Sequence, residues 1–219
     1  KKTTILRTIP GENSYGPRWS PDGKSILFNH WDEQSADWVF GTVAPADGSF
    51  RVLAPDRKGI YSPFWSADGA SVYGQDLDTL YRIDVARGTV AERRPLVEVT
   101  GSEAMVSSAV RFSLSPDGTM WLFDAEVEDT GKLMKRGEPL NSAIFMHTTA
   151  DGKTRRLTAE NICAMHPSWL PEGKEFLFAG YGPNEAKRKG SPFAIFRRGL
   201  DGAKATLLLK EGDSPSAGR

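Results

Sequence analysis

Residue types that commonly perform catalysis are few in this chain, and their spacing matches no familiar catalytic motif. The chain has three histidines, His30, His147 and His166, and a single cysteine, Cys163. The sequence has no H-x-x-x-H or H-E-x-x-H motif, the spacings that place two histidines on one metal ion. A G-x-S-x-G nucleophile motif and a phosphate-binding glycine loop are also missing from the sequence. We therefore predict no catalytic set, no metal site and no cofactor. The sequence favours a non-enzymatic protein over an enzyme.

Aromatic residues in predicted loops suggest a different activity, the binding of a partner. Trp31 follows an apolar strand and has acidic neighbours, and Tyr61 and Tyr181 occupy similar loop positions. Trp and Tyr side chains are the ones that dominate protein interfaces. The alternative is that each ring folds back onto its own strands. The candidate binding residues are Trp31, Asp32, Tyr61, His166 and Tyr181.

One short phrase occurs four times and determines which elements must hold these residues. It reads PRWSPDGKSILF at 17–28, PFWSADGASVYG at 63–74, FSLSPDGTMWLF at 112–123 and PSWLPEGKEFLF at 167–178. Each copy is an apolar strand, a Pro/Ala-Asp/Glu-Gly turn and a second apolar strand, which predicts a hairpin. The turn glycines Gly23, Gly69, Gly118 and Gly173 are 46, 49 and 55 residues apart. A period of this size is typical of one four-stranded propeller blade.

A second turn completes each copy, in the segments ADGS, ARGT, ADGK and LDGA that begin at residues 46, 86, 150 and 200. The sequence thus predicts an all-β protein, a β-propeller with four four-stranded blades at about 15–54, 61–95, 109–158 and 165–210. Segment 3–8 is expected to form an extra outer strand, and 1–219 to form a single propeller domain. We expect an arc of a larger propeller of about six to eight blades, with a closed four-bladed ring as the alternative.

The lengths of the connections indicate which end of the blades carries function. Within a blade, strands are labelled A to D in chain order. A–B and C–D connections emerge at one end and are short, whereas B–C and D–A connections emerge at the other and are long and variable. Because binding usually resides on loops held by a rigid scaffold, we place the binding surface at this loop-rich end. Trp19, Trp65 and Trp169 occupy equivalent positions in their A strands, so we expect them to pack in the core between blades.

The repeated phrase, followed by an aromatic strand and a D-G-x-x-R-x-L-T ending at 151–158, resembles the TolB-like, or WD40-like PD40, propeller repeat. The resemblance extends from about 17 to 209 and implies a β-propeller in a periplasmic or otherwise extracytoplasmic protein. Such repeats occur in the TolB translocation protein, in propeller domains of peptidases and in oligogalacturonate lyases. The chain differs from the TolB pattern in having four repeats rather than six and no α/β domain ahead of them. The leading hypothesis is a non-catalytic, TolB-like propeller that binds a protein or peptide partner through its loop-rich end. Alternatives are the propeller portion of a peptidase or polysaccharide lyase, and a carbohydrate-binding propeller.

Composition excludes several other classes of partner. Lys plus Arg and Asp plus Glu both total 28, so nothing favours attraction to nucleic acid. No run of about 18 apolar residues is present that would cross a membrane.

An open arc would leave apolar blade faces uncovered, so we also expect self-association through its open edges.

Overall fold

The computed structural model describes residues 13–127, 142–187, 189–202 and 204–216. The chain groups into two compact units, Lys1–Leu96 and Val97–Arg219. The strand expected at 3–8 lies outside the described residues. No helix in the described segments is long and apolar enough to span a membrane.

The first unit contains two four-stranded antiparallel blades. Their strands pair in the orders β1-β2-β3-β4 and β5-β6-β7-β8. The strands of the first blade are β1 Ser14–Trp19, β2 Ile26–Asp32, β3 Asp37–Val43 and β4 Phe50–Leu53; those of the second are β5 Tyr61–Trp65, β6 Ser71–Gln75, β7 Thr79–Asp84 and β8 Thr89–Pro95.

The second unit contains two further blades of the same kind, with strand orders β9-β10-β11-β12 and β13-β14-β15-β16. It begins with the single-turn helix α1, and a short 3-10 helix lies between β14 and β15. The elements are α1 Val97–Thr100, β9 Phe112–Leu114, β10 Met120–Glu126, β11 Ser142–Thr148, β12 Lys153–Arg156, β13 Cys163–Trp169, β14 Glu175–Tyr181, the 3-10 helix Glu185–Lys187, β15 Ala194–Gly199 and β16 Thr206–Leu209. The prediction of an all-β fold with four four-stranded blades is therefore confirmed.

Each A–B hairpin of the first three blades closes through a serine–aspartate pair. In the second blade the Ser66 hydroxyl donates to Asp68 at 2.6 Å and accepts the Ser71 amide at 2.9 Å. This serine hydrogen bond is the main reason that the pKa of Asp68 is lowered. Gly69 has φ +72°, a conformation that suits glycine because it has no Cβ. The turn therefore needs these residue types, and the acids are structural rather than catalytic.

Apolar side chains form the contact between the two blades within each unit. In the first unit, Leu27, Phe40 and Leu53 of one blade pack with Val72 and Ile83 of the next. In the second unit, the equivalent cluster contains Leu122, Ile144, Trp169, Phe176 and Phe178. Adjacent blades of a unit are thus held together mainly by buried apolar area.

The three repeat tryptophans are not equivalent in the structure. The indole Nε1–H of Trp65 donates to the Arg18 carbonyl at 3.1 Å, and that of Trp169 donates to the Ser113 carbonyl at 3.0 Å. Each therefore docks on the A strand of the preceding blade in its unit. Trp19 is 61% exposed, so the expectation that it is a core residue is wrong. Trp65 is half-buried and Trp169 is buried, each against the preceding blade of its unit, whereas Trp19 is exposed.

Candidate functional site

The five residues predicted to bind a partner are divided between the two units. Trp31, Asp32 and Tyr61 lie at the loop-rich end of the first unit, where β2 ends and β5 begins. His166 and Tyr181 lie in β13 and β14 of the second unit.

An aromatic patch, consisting of Tyr15, Trp31, Trp38 and Tyr61, lies at the loop-rich end of the first unit. Trp31 was expected in a loop after β2, but β2 extends to Asp32 and Trp31 is directly opposite Trp38 in β3. The two indoles meet edge to face with centroids 5.4 Å apart, and Tyr15 meets Trp38 in the same way at 4.9 Å. The pairing of Trp31 with Trp38 extends the β2–β3 hairpin. The edge-to-face contacts pack the three rings against one another.

The patch is accessible although it is well packed. Tyr15 is 41% exposed, and Trp31, Trp38 and Tyr61 are half-buried. Partial burial, with the nearby Tyr61 hydroxyl as a second cause, raises the pKa of Tyr15. Tyr15 is therefore neutral at neutral pH, with a polar hydroxyl on an otherwise apolar ring.

Two carboxylates border this patch at the tip of the β2–β3 hairpin. Asp32 is opposite Asp37 in the strand register. The Ser35 hydroxyl donates to Asp32 at 2.6 Å and is the main cause of the lowered pKa of that carboxyl group. The Asp37 carboxylate accepts the backbone amide of Trp38 at 2.7 Å. The aromatic patch therefore has an acidic edge.

The B–C connection of the second blade is a tight turn. Asp76 accepts the backbone amides of Asp78 and Thr79 at 3.2 and 2.8 Å, and Leu77 has φ +82°. Asp76 also accepts the Tyr81 hydroxyl at 2.7 Å and pairs with Arg57 from the preceding connector. These bonds occupy the Asp76 carboxylate, which therefore holds the connector in place.

A buried carboxylate connects the two blades of the second unit. Asp124, at the loop-rich end of β10, accepts the Arg111 amide at 2.6 Å and the His166 amide at 2.7 Å. Burial raises the pKa of Asp124, while the two N–H bonds and the nearby Arg111 and His166 side chains oppose that effect. The carboxylate thus fixes the start of the A strand in the third blade and the bulge of the A strand in the fourth.

The first unit has a related hydrogen bond at the equivalent repeat positions, so the contact of Asp124 with His166 is a variant of a structural contact. Asn29 in the first blade and Asp124 in the third each lie six residues after the turn glycine. Asn29 accepts the Ser62 amide at 3.1 Å, and Ser62 and His166 share a left-handed conformation, with φ +59° and +57°, at a bulge before proline. The first unit uses a neutral Asn and a Ser, whereas the second unit has Asp and His. Sequence reasoning missed Asp124 and Arg111, although aligning the repeats by their turn glycines would have revealed the change from Asn to Asp.

His166 and Arg111 also contact the segment that follows β16. The His166 Nδ1–H donates to the carbonyl of Asp213, and Arg111 Nη1 donates to the Ser214 hydroxyl at 3.3 Å. Partial burial lowers the pKa of His166, with the nearby Arg111 cation adding to the effect. The imidazole is therefore neutral at neutral pH, with its proton on Nδ1.

Tyr181 is not an exposed anchor. It is 1% exposed, its ring meets Phe193 edge to face at 5.1 Å, and it packs in a small cluster with Cys163 and Met165. Its position at the end of an apolar strand allows the ring to fold back onto its own blade, which was the alternative considered from sequence. Cys163 is buried, as expected of a small apolar residue.

The remaining histidines are structural. His30 and His147 are each 3% exposed and lie in β2 and β11. The ring of His147 hydrogen-bonds to Thr154 at 3.0 Å. Within the part of the chain that the structure describes, no group of three or more His, Cys, Asp or Glu side chains is placed to hold a metal ion.

Comparison with known proteins supports the fold. No family model matches the chain. The chain is 23% identical over 168 residues to the uncharacterized peptidase YuxL of Bacillus subtilis (strain 168), a match that covers 77% of this chain and 22% of YuxL.

Two solved structures share the architecture. TolB from Acinetobacter baumannii superposes with a TM-score of 0.66 at 18% identity, over 94% of this chain and 45% of the TolB chain. An oligogalacturonate lyase from Vibrio parahaemolyticus superposes with a TM-score of 0.54 at 11% identity, over 94% of this chain and 69% of the lyase. The chain thus spans less than half the length of YuxL and of TolB. The fold is that of TolB-type β-propellers, and four blades fit an arc of a larger propeller.

Proposed function

We propose that this chain is a non-catalytic, TolB-like propeller that binds a protein or peptide partner through its loop-rich end. The observation that carries the proposal is the aromatic patch of the first unit. The rings of Tyr15, Trp31 and Trp38 pack edge to face, yet Tyr15 is 41% exposed. Rigid Trp and Tyr side chains provide large contact areas at a low entropic cost, and such residues carry most of the energy of protein interfaces.

The acidic edge of the patch specifies the partner further. Asp32 is ionised at neutral pH because its pKa is lowered, mainly by the Ser35 hydroxyl. A partner segment with an apolar or aromatic side chain beside a Lys or Arg would place its apolar group on the rings and its cation at Asp32 and Asp37. A cation over an indole or phenol ring would add to the attraction.

A random peptide library selected against the immobilised protein tests this proposal. The selected peptides would then be titrated by calorimetry against the parent protein and the Trp31→Ala variant. We expect Trp31→Ala to weaken binding at least about tenfold, which corresponds to about 1.4 kcal/mol. Trp19→Ala is the matched control, because Trp19 is also an exposed indole of the first unit but lies at the opposite end of its blade. Equal losses in the two variants would refute binding at the aromatic patch.

The likeness to YuxL and to the lyase keeps an enzyme-associated role as the second candidate. In that case the chain is the propeller portion of a larger peptidase or polysaccharide lyase. Turnover of peptide or polyuronate substrates by the full-length gene product would favour this candidate. Selective binding of sugars on a glycan array, lost in Trp31→Ala, would instead favour a carbohydrate-binding propeller.

A periplasmic or otherwise extracytoplasmic location is part of the same proposal. It is supported by the resemblance to TolB-type propellers. Cell fractionation of the native protein tests it, and recovery in the cytoplasmic fraction alone would contradict it.

A further inference from the structure

The segment after β16 turns back across the second unit. Gly212 packs on Ile195 of β15, the carbonyl of Asp213 accepts the Nδ1–H of His166 in β13, and the Ser214 hydroxyl accepts Arg111, just before β9. The segment therefore runs from the fourth blade to the preceding one, over the bulge of β13 and the start of β9. Residues 212–214 are themselves exposed, so they lie on the surface and are not part of the core.

The surface under this segment is built and rigid. We call Arg111, His166 and Ile195 the Arg–His shelf. The buried Asp124 holds the backbone of Arg111 with one carboxylate oxygen and that of His166 with the other. The side chains of Arg111 and His166 are thereby presented side by side, one as a cationic donor and the other as a neutral N–H donor. The repeat does not require this chemistry, because Asn29 and Ser62 make the same backbone contact in the first unit.

The contacts of the segment define what the shelf recognises. A Cβ on residue 212 would lie 2.8 Å from Ile195 Cγ1 and 3.0 Å from Cδ1, so this position accepts only glycine without displacement. The next residue gives its backbone carbonyl to His166, and its carboxylate is attracted to Arg111. The residue after that gives a hydroxyl oxygen to Arg111.

We propose that the Arg–His shelf is a binding site for an extended acidic peptide segment of a protein partner, and that residues 212–214 occupy it as an internal ligand. A partner segment with glycine, an acidic residue and a hydroxyl residue in succession would make the same contacts. The internal segment competes at the high effective concentration that a short tether gives, so it keeps the site closed to weak ligands. The inference rests on the proposed function in that the partner is a protein or peptide, but it uses a different site from the aromatic patch.

Fluorescence anisotropy of a labelled peptide with the sequence of residues 210–216 tests the shelf. The full chain carrying Gly212→Val should have its own segment displaced by the clash with Ile195, and should bind this probe at least about tenfold more tightly than the parent protein. Ser216→Val is the matched control in the same exposed segment and should bind the probe like the parent. Arg111→Ala added to Gly212→Val should remove the gain, and a probe with Val in place of its Gly should not bind.

Equal affinities for the parent and Gly212→Val would overturn the proposal, as would retention of full binding after Arg111→Ala. Circular dichroism of each variant checks folding, and a second readout works on the parent fold. Ser214→Ala should shift the NMR resonances of the His166 ring if the segment occupies the shelf in solution, and an unchanged ring spectrum would contradict occupation. Trp31→Ala should leave binding of the probe unaltered. Loss of probe binding in Trp31→Ala would place the probe on the aromatic patch and contradict the shelf. If the selected library peptides bind Trp31→Ala as tightly as the parent, but the probe binds the Arg–His shelf as expected, only the proposed function is refuted.

Discussion

Truncation of the repeat tryptophans should separate a covered position from an uncovered one. Trp169 is 6% exposed and Trp19 is 61% exposed at the equivalent position. A tryptophan buries about 150–250 Å² when covered, and each Å² contributes about 25 cal/mol. Trp169→Ala should therefore cost about 5 kcal/mol, at the upper end of the range for core aromatic truncations. Trp19→Ala should cost about 2 kcal/mol, since less than half of its side chain leaves water and no cavity forms.

The difference of about 3 kcal/mol is large enough to measure in a protein of this size. It corresponds to a difference of about 6–12 °C in melting temperature between the two variants. Urea unfolding of the parent, Trp19→Ala and Trp169→Ala at several protein concentrations provides the free energies. Trp169→Phe is the control for the indole bond, because it keeps an aromatic ring but leaves the Ser113 carbonyl without its indole donor.

Equal costs for Trp19→Ala and Trp169→Ala at low protein concentration would refute this reasoning, since Trp19 would then be covered within the monomer. A cost for Trp19→Ala that grows with protein concentration would show instead that a second copy covers it.

Two further results are expected from residues described above. Tyr181→Ala should lower the free energy of unfolding by about 3–5 kcal/mol, because its buried ring packs on Phe193; thermal melts within 1 °C of the parent would contradict its burial. Ser66→Ala should lose part of its destabilisation in acid. The folded-state pKa of Asp68 lies below its ordinary value of 3.8, mainly because of Ser66, so this stabilisation is present above that pH and is lost as the pH falls below it. Urea unfolding at pH 7 and pH 3 should show a smaller gap between Ser66→Ala and the parent at pH 3, and a constant gap would contradict the account.

The fold was predictable because its signal is local and repeated. A strand, a Ser-x-Asp-Gly turn and a second strand lie within about a dozen residues of each other, and each part is dictated by its own neighbours. The last turn position has a positive φ, and glycine at that position in the sequence predicts this conformation. The aromatic candidates Trp31 and Tyr61 were found because they lie at the loop-rich ends of strands that such turns define.

The remaining features depend on residues that are distant in sequence. Asp124 meets His166 only after two blades have packed, and nothing near either residue indicates that contact. Trp19 and Trp169 have the same local sequence pattern, so only the presence of a covering blade distinguishes them. Tyr181 had two local readings, and packing against Phe193 decided between them.

The indole bonds between blades give the array a chemical direction. In both units the A-strand tryptophan is the donor and the A strand of the preceding blade is the acceptor, as with Trp65 to Arg18 and Trp169 to Ser113. The two faces of a blade are therefore complementary to each other and not to themselves. Two copies that met through their Trp19 faces would oppose donor to donor, so a symmetric dimer through that face would lack the bond. Any association that forms this indole–carbonyl bond between two copies must be head to tail. Head-to-tail contacts build rings when the rotation closes and filaments when it does not.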